Sequence, residues 1–110
     1  MAILNEYSMT IYNKLVRDKI LKIIKKSGSG YKYHIAKDDA EYLVKLYEKL
    51  EEEIGEFKEK PSVDEFTDIL EVLESIGKFY GFHLDKVKEV KQTKKYNRGS
   101  FNNRIILEES

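Results

Sequence analysis

Glu53 and Glu56 lie three residues apart, and Glu65 and Asp68 repeat that spacing further along the chain. On helices, such spacing puts each pair on one side, one turn apart. Two helices of this kind packed antiparallel would bring four carboxylates together. Like charges that close repel strongly at low dielectric, so something positive must lie among them. A hard divalent cation, which takes oxygen ligands, answers that requirement.

The positions of the acids matter as much as their number. Leu46, Leu50 and Phe57 share an apolar stripe, and Glu53 occupies a slot on it where a leucine is expected. Glu65 likewise shares an edge with Val72, Ile76 and Phe79. A buried carboxylate costs several kcal/mol unless it is neutralised or paired. Two explanations need no metal. Ser62-Val63-Asp64-Glu65 fits a capping box, in which the glutamate bonds back to the cap residue. Basic segments on either side could also neutralise the acids through salt bridges. Glu48, Glu51 and Glu59 read as a solvated helix face.

The elements that must position these groups follow from periodicity. Residues 10–13 read as an extended lead-in. A first helix opens over residues 15–20, carries Ile20, Ile23 and Ile24 on one face, and ends at Gly28 or Gly30. Asp38 caps a second helix whose stripe of Leu43, Leu46, Tyr47, Leu50, Ile54 and Phe57 runs to about Lys58. Lys60 and Pro61 break it, and Ser62 caps a third helix that stops at Gly81. The connection is short, so these two helices should pack antiparallel. A fourth helix begins near Leu84 or Asp85 and ends in the polar run 94–97. The fold class expected is all-α, a four-helix bundle; residues 31–35 read either as an extended connection or as a short strand, with a short β pairing to 104–107 as the second option.

Composition narrows the function. The chain has 110 residues, 36% of them charged, a single proline and no cysteine. That suits one soluble helical domain and removes disulfides, thiolate metal sites and cysteine nucleophiles. Two histidines leave little for a histidine-rich site, and neither His34 nor His83 is assigned a role. No apolar run approaches the roughly 18 residues that span a bilayer. Residues 1–9 read as a flexible extension and lack the basic start of a signal peptide, so the expected location is cytoplasmic. The net charge of zero conceals a pattern. Residues 48–74 hold eleven acids and three lysines; residues 12–26 hold six bases and one acid; residues 86–104 hold seven bases and one acid. An acidic centre between basic flanks suits an anionic ligand that arrives with metal. Nucleic acid is not expected as a partner, because residues 86–104 lack a recognition motif despite Tyr96 and Phe101.

With these residues laid out, Glu52-Glu53-Ile54-Gly55-Glu56 followed by Glu65-Phe66-Thr67-Asp68 resembles the signature of the all-α nucleoside triphosphate pyrophosphohydrolases, the MazG-like superfamily. Further segments are similar to its phosphoribosyl-ATP pyrophosphohydrolase-like branch of house-cleaning nucleotide hydrolases. They are Tyr12-Asn13-Lys14-Leu15-Val16-Arg17-Asp18-Lys19-Ile20, Lys49-Leu50-Glu51-Glu52-Glu53, Asp68-Ile69-Leu70-Glu71-Val72, and Lys94 with Arg98-Gly99-Ser100-Phe101. The gap between the acidic motifs is short for the superfamily, and Ser100 stands where the branch more often has glycine.

The resemblance implies Mg²⁺-dependent cleavage, with Mn²⁺ as a substitute, between the α and β phosphates of a nucleotide. By motif position Glu53, Glu56, Glu65 and Asp68 would be metal ligands. Glu52 would be a further ligand or the base that orients the attacking water, so Glu52 and Glu53 are the catalytic candidates. A triphosphate carries more charge than the metal cancels, which makes Lys14, Arg17, Lys19, Lys94, Arg98 and Arg104 candidates for substrate contacts. The bland reading of each is a solvated base. Rival functions are the phosphoribosyl-ATP pyrophosphohydrolase step of histidine biosynthesis, a metal- or nucleotide-binding module without turnover, and a helical interaction protein. A homodimer or homotetramer is expected, because a short four-helix chain has apolar surface to cover.

Overall fold

The computed structural model describes residues 10–110, and the expected extension at residues 1–9 lies outside the described residues. Among the described residues there are four helices and no strand: α1 (Ile20–Lys26), α2 (Asp39–Glu59), α3 (Val63–Phe79) and α4 (Leu84–Arg98). The all-α class expected from the sequence is the class observed. None of these helices is long and apolar enough to cross a membrane. The chain falls into two compact units, one ending at Ile76 and the other Gly77–Ser110.

In the first unit α2 is the longest element, and its start is the best specified. Asp38 is extended, and its carboxylate accepts the Glu41 N–H at 2.8 Å. Glu41 reaches back to accept the Lys37 N–H at 2.8 Å, so the two acids satisfy donors on both sides of the helix start. Glu56 C=O accepts the Lys60 N–H at 3.0 Å, and α2 ends at Glu59, two residues before Pro61. Ser62 Oγ then accepts the Glu65 N–H at 3.1 Å to start α3. With Phe57 near the end of α2 and Phe66 near the start of α3 in ring contact at 5.9 Å, the two helices run antiparallel, as the short connection requires. Among the described residues of this unit, Leu46 and Val72 are the buried apolar ones.

Two expectations are corrected. The first helix starts at Ile20 rather than near Leu15, and residues 10–17 run without helical structure. Lys19, at the N-cap, offers no side-chain acceptor to hold an earlier turn. Lys14 and Arg17 are meanwhile drawn to acids on α2 and α3. The β pairing of 31–35 with 104–107 does not form. Ile105, Ile106 and Leu107 stay exposed, as do Tyr31, Tyr33 and Ile35. Two short strands without a covering layer bury too little to persist in water.

In the second unit Gly81, at φ 76°, ends α3. The Gly81 N–H bonds Lys78 C=O at 3.0 Å and the Phe82 N–H bonds Gly77 C=O at 2.9 Å, the paired closure of a Schellman motif. The rings of Tyr80 and Phe82 stack at 5.7 Å over this turn. Gly99, at φ 83°, closes α4 with its N–H on Lys95 C=O at 2.8 Å.

Candidate metal centre

Each acid of the cluster is placed by a helix that has its own reason to exist. The stripe of α2 turns Glu53 inward between Leu46 and Phe57, and the residue is 6% exposed. Ser62 fixes the first turn of α3, which carries Glu65 and Asp68 one turn apart. Antiparallel packing then brings carboxylate oxygens of Glu53, Glu65 and Asp68 within 4.8 Å of one another. Glu53 Oε2 and Glu65 Oε2 are buried without a hydrogen-bond partner. Ser62 therefore caps α3, as expected, while the Glu65 carboxylate joins the acids.

The electrostatics follow. Burial pushes the Glu53 carboxyl above its ordinary value; Lys49 opposes the shift, and the charges of Glu56 and Asp68 add to it. Glu52 sits just outside the three-acid cluster. Its Oε1 takes a 2.7 Å bond from Lys14 Nζ, and its Oε2 lies 3.4 Å from Lys49 Nζ. The Lys14 bond is the main reason the Glu52 carboxyl is held below its ordinary value and the Lys14 ammonium above its own. Glu56 is exposed, yet near enough for its charge to act on both Glu53 and Lys14.

The expected bases divide into two groups. Arg17 Nη2 lies 2.7 Å from Asp68 Oδ1, so Lys14 and Arg17 both reach the acids from residues 10–17. That segment is held further by Lys45 Nζ, which donates to Asn13 C=O at 2.7 Å. Lys19 is exposed at the start of α1. Lys94 and Arg98 stand one turn apart on α4, and Arg104 lies in the turn that follows, all three in the second unit.

Sequence reasoning gave Lys49 no role. It is half-buried on α2, with Nζ 3.3 Å from Glu53 Oε1, and is a resident counter-charge to the cluster. Its i, i+4 relation to Glu53 was the available signal. A lysine placed before a glutamate is the weaker order of such a helix pair, so the spacing alone carried little weight.

Five carboxylates here (Glu52, Glu53, Glu56, Glu65 and Asp68) face three cations (Lys14, Arg17 and Lys49), a formal deficit of two charges. The salt-bridge explanation thus holds for Glu52 and Asp68 but leaves the inner oxygens of Glu53 and Glu65 unanswered. All the donors are carboxylate oxygens, the set a hard divalent cation takes. Beside them opens a cavity of about 390 Å³, lined by the cations Lys14, Arg17 and Lys49, by Tyr12, Val16, Ile20 and Ile24, and by Glu53 and Asp68 of the cluster. No family model matches the chain, and neither a curated protein nor a solved structure matches it.

Proposed function

We propose that this protein is a divalent-metal-dependent pyrophosphohydrolase, cleaving a (d)NTP or related nucleotide to its monophosphate and pyrophosphate. The observation that carries the reading is a 6%-exposed glutamate, Glu53, with a buried unpartnered oxygen, clustered with Glu65 and Asp68. The resemblance of the two acidic motifs to the MazG-like enzymes supports it, and so does the cavity, whose cationic residues suit phosphates and whose apolar residues suit a nucleoside.

Glu53, Glu65 and Asp68 would hold the ion, with Glu56 as a further candidate. The chemistry a bound Mg²⁺ or Mn²⁺ supplies is neutralisation of phosphate charge and acidification of water. Glu52, ionised and braced by Lys14 and Lys49, is suited to accept a hydrogen bond from the attacking water and orient it. Lys14 and Arg17 line the cavity and would bind phosphate oxygens, with the exposed Lys19 at the start of α1 as a further candidate. We also propose a homo-oligomer, since Val44, Leu70 and Leu73 on α2 and α3 stay substantially exposed.

The test is pyrophosphate release from a panel of dNTPs and from phosphoribosyl-ATP, with Mg²⁺ and with chelator. Wild type should turn over in Mg²⁺ only, and Glu53→Ala and Asp68→Ala should abolish turnover. Undiminished hydrolysis in either variant refutes the assignment. Nucleotide binding without turnover in wild type would favour a binding module, and turnover of phosphoribosyl-ATP alone would assign the histidine-pathway step.

A further inference from the structure

Two of the three acids at this centre already carry a cation on one oxygen. Arg17 holds Asp68 Oδ1 at 2.7 Å, and Lys49 holds Glu53 Oε1 at 3.3 Å. The two cations are mounted very differently. Lys49 shares a helix with Glu53 and also touches Glu52, so it can shift fully to Glu52 without leaving its place. Arg17 comes from a stretch without helical or strand hydrogen bonding, and its side chain is 57% exposed. That stretch is tied down at Lys14–Glu52 and at Lys45–Asn13 C=O, and it meets α1 where Arg17 C=O accepts the Ile20 N–H.

We propose that Arg17 is a placeholder cation. It neutralises Asp68 in the metal-free protein, leaves when a divalent ion binds Glu53, Glu65 and Asp68, and is then free to bind the anionic group of the ligand. The inference rests on the metal-centre reading above. Its physical basis is competition. A guanidinium and a divalent ion cannot both sit on Asp68 without mutual repulsion, and the divalent ion binds three carboxylates where Arg17 binds one. Release is cheap, because an ion pair this exposed contributes little and residues 10–17 have no ladder or helix to break. The released guanidinium already lines the cavity, and its planar fork matches phosphate oxygens. Metal and anion binding are thereby coupled through one side chain: the ion unmasks the group that recognises the anion.

The experiment uses the full chain and needs no turnover. Mn²⁺ is titrated by calorimetry into wild type and Arg17→Gln, and Mg²⁺ into isotopically labelled wild type while the amide signals of residues 14–17 are followed. Inorganic pyrophosphate is then titrated into both Mg²⁺-loaded proteins. Arg17→Gln should bind Mn²⁺ about two- to fivefold more tightly, the scale of an exposed ion pair. It should bind pyrophosphate about tenfold more weakly, the scale of one hydrogen bond between charged groups. The amides of residues 14–17 should shift and gain mobility as Mg²⁺ saturates. Equal Mn²⁺ affinities with unmoved amides would overturn the placeholder role and leave the metal centre standing. Absence of Mn²⁺ binding in both proteins would overturn the metal centre and the placeholder role with it.

Discussion

Replacing Glu53 by glutamine should stabilise the protein when metal is withheld. In the metal-free state the Glu53 carboxylate is almost wholly buried; one oxygen pairs with Lys49, the other has no partner, and Glu65 and Asp68 are close by. An unsatisfied buried acceptor costs about 1–3 kcal/mol, and more when charged. Glutamine keeps the volume, removes the charge, and offers an N–H to the equally unpartnered Glu65 Oε2. What is lost is the Lys49–Glu53 contact, itself largely buried, but Lys49 keeps Glu52, so no uncompensated charge is left behind. The net gain is therefore about 1–2 kcal/mol, or roughly 5–10 °C in melting temperature for a chain of this size. Thermal unfolding at neutral pH in chelator measures it. The pH dependence has a definite sign. Because the folded-state pKa of Glu53 is raised above 4.5, ionisation penalises the native state above that raised pKa. The penalty disappears as the group protonates, so the gap between variant and wild type should close as the pH falls towards 4.5. In Mg²⁺ the order should reverse, since wild type gains about 2.7 kcal/mol at a hundred times its dissociation constant and the variant gains little. A variant less stable than wild type in chelator at neutral pH would refute the reasoning, because it would mean that something already satisfies the Glu53 charge.

Two further outcomes test the scaffold rather than the site. Leu46→Ala removes the most deeply buried side chain among the described residues, 1% exposed, and should cost about 3 kcal/mol in chemical denaturation; a loss under 1 kcal/mol would mean that the α2–α3 core sits elsewhere. Asp38→Ala removes the acceptor for the Glu41 N–H and should cost about 1 kcal/mol, with Asp38→Asn retaining most of it; equal stability of all three proteins would show that the cap is idle.

The parts legible in the sequence were those fixed by local periodicity and local caps. The stripe of α2, Asp38 and Ser62 as caps, Pro61 as a break and Gly81 as a stop all act within a few residues of themselves. The short connection then dictated antiparallel packing, so the meeting of Glu53 with Glu65 and Asp68 was legible too. What escaped depends on distance along the chain. Residues 15–19 have an acceptable helical pattern, but Lys14 and Arg17 find acids 38 and 51 residues away, and no local rule weighs those attachments against one more turn of α1. The tail 105–107 has strand-forming residues, yet an apolar run becomes a strand only where another layer covers it.

Glu65 bears on the explanations that the sequence left open. A capping glutamate would turn back to the start of its own helix, and a solvated one would end in water. Instead, Ser62 alone supplies the cap, and the Glu65 carboxylate lies with Glu53 and Asp68 with one oxygen buried and unpartnered. Neighbouring cations do not rescue it, because Arg17 is committed to Asp68 and Lys49 to Glu52 and Glu53. A fold free to choose would place an apolar residue at Glu65 or Glu53 and gain stability by doing so. Two such costs on facing helices, with oxygens within 4.8 Å of one another, serve no packing role and support the metal-centre proposal.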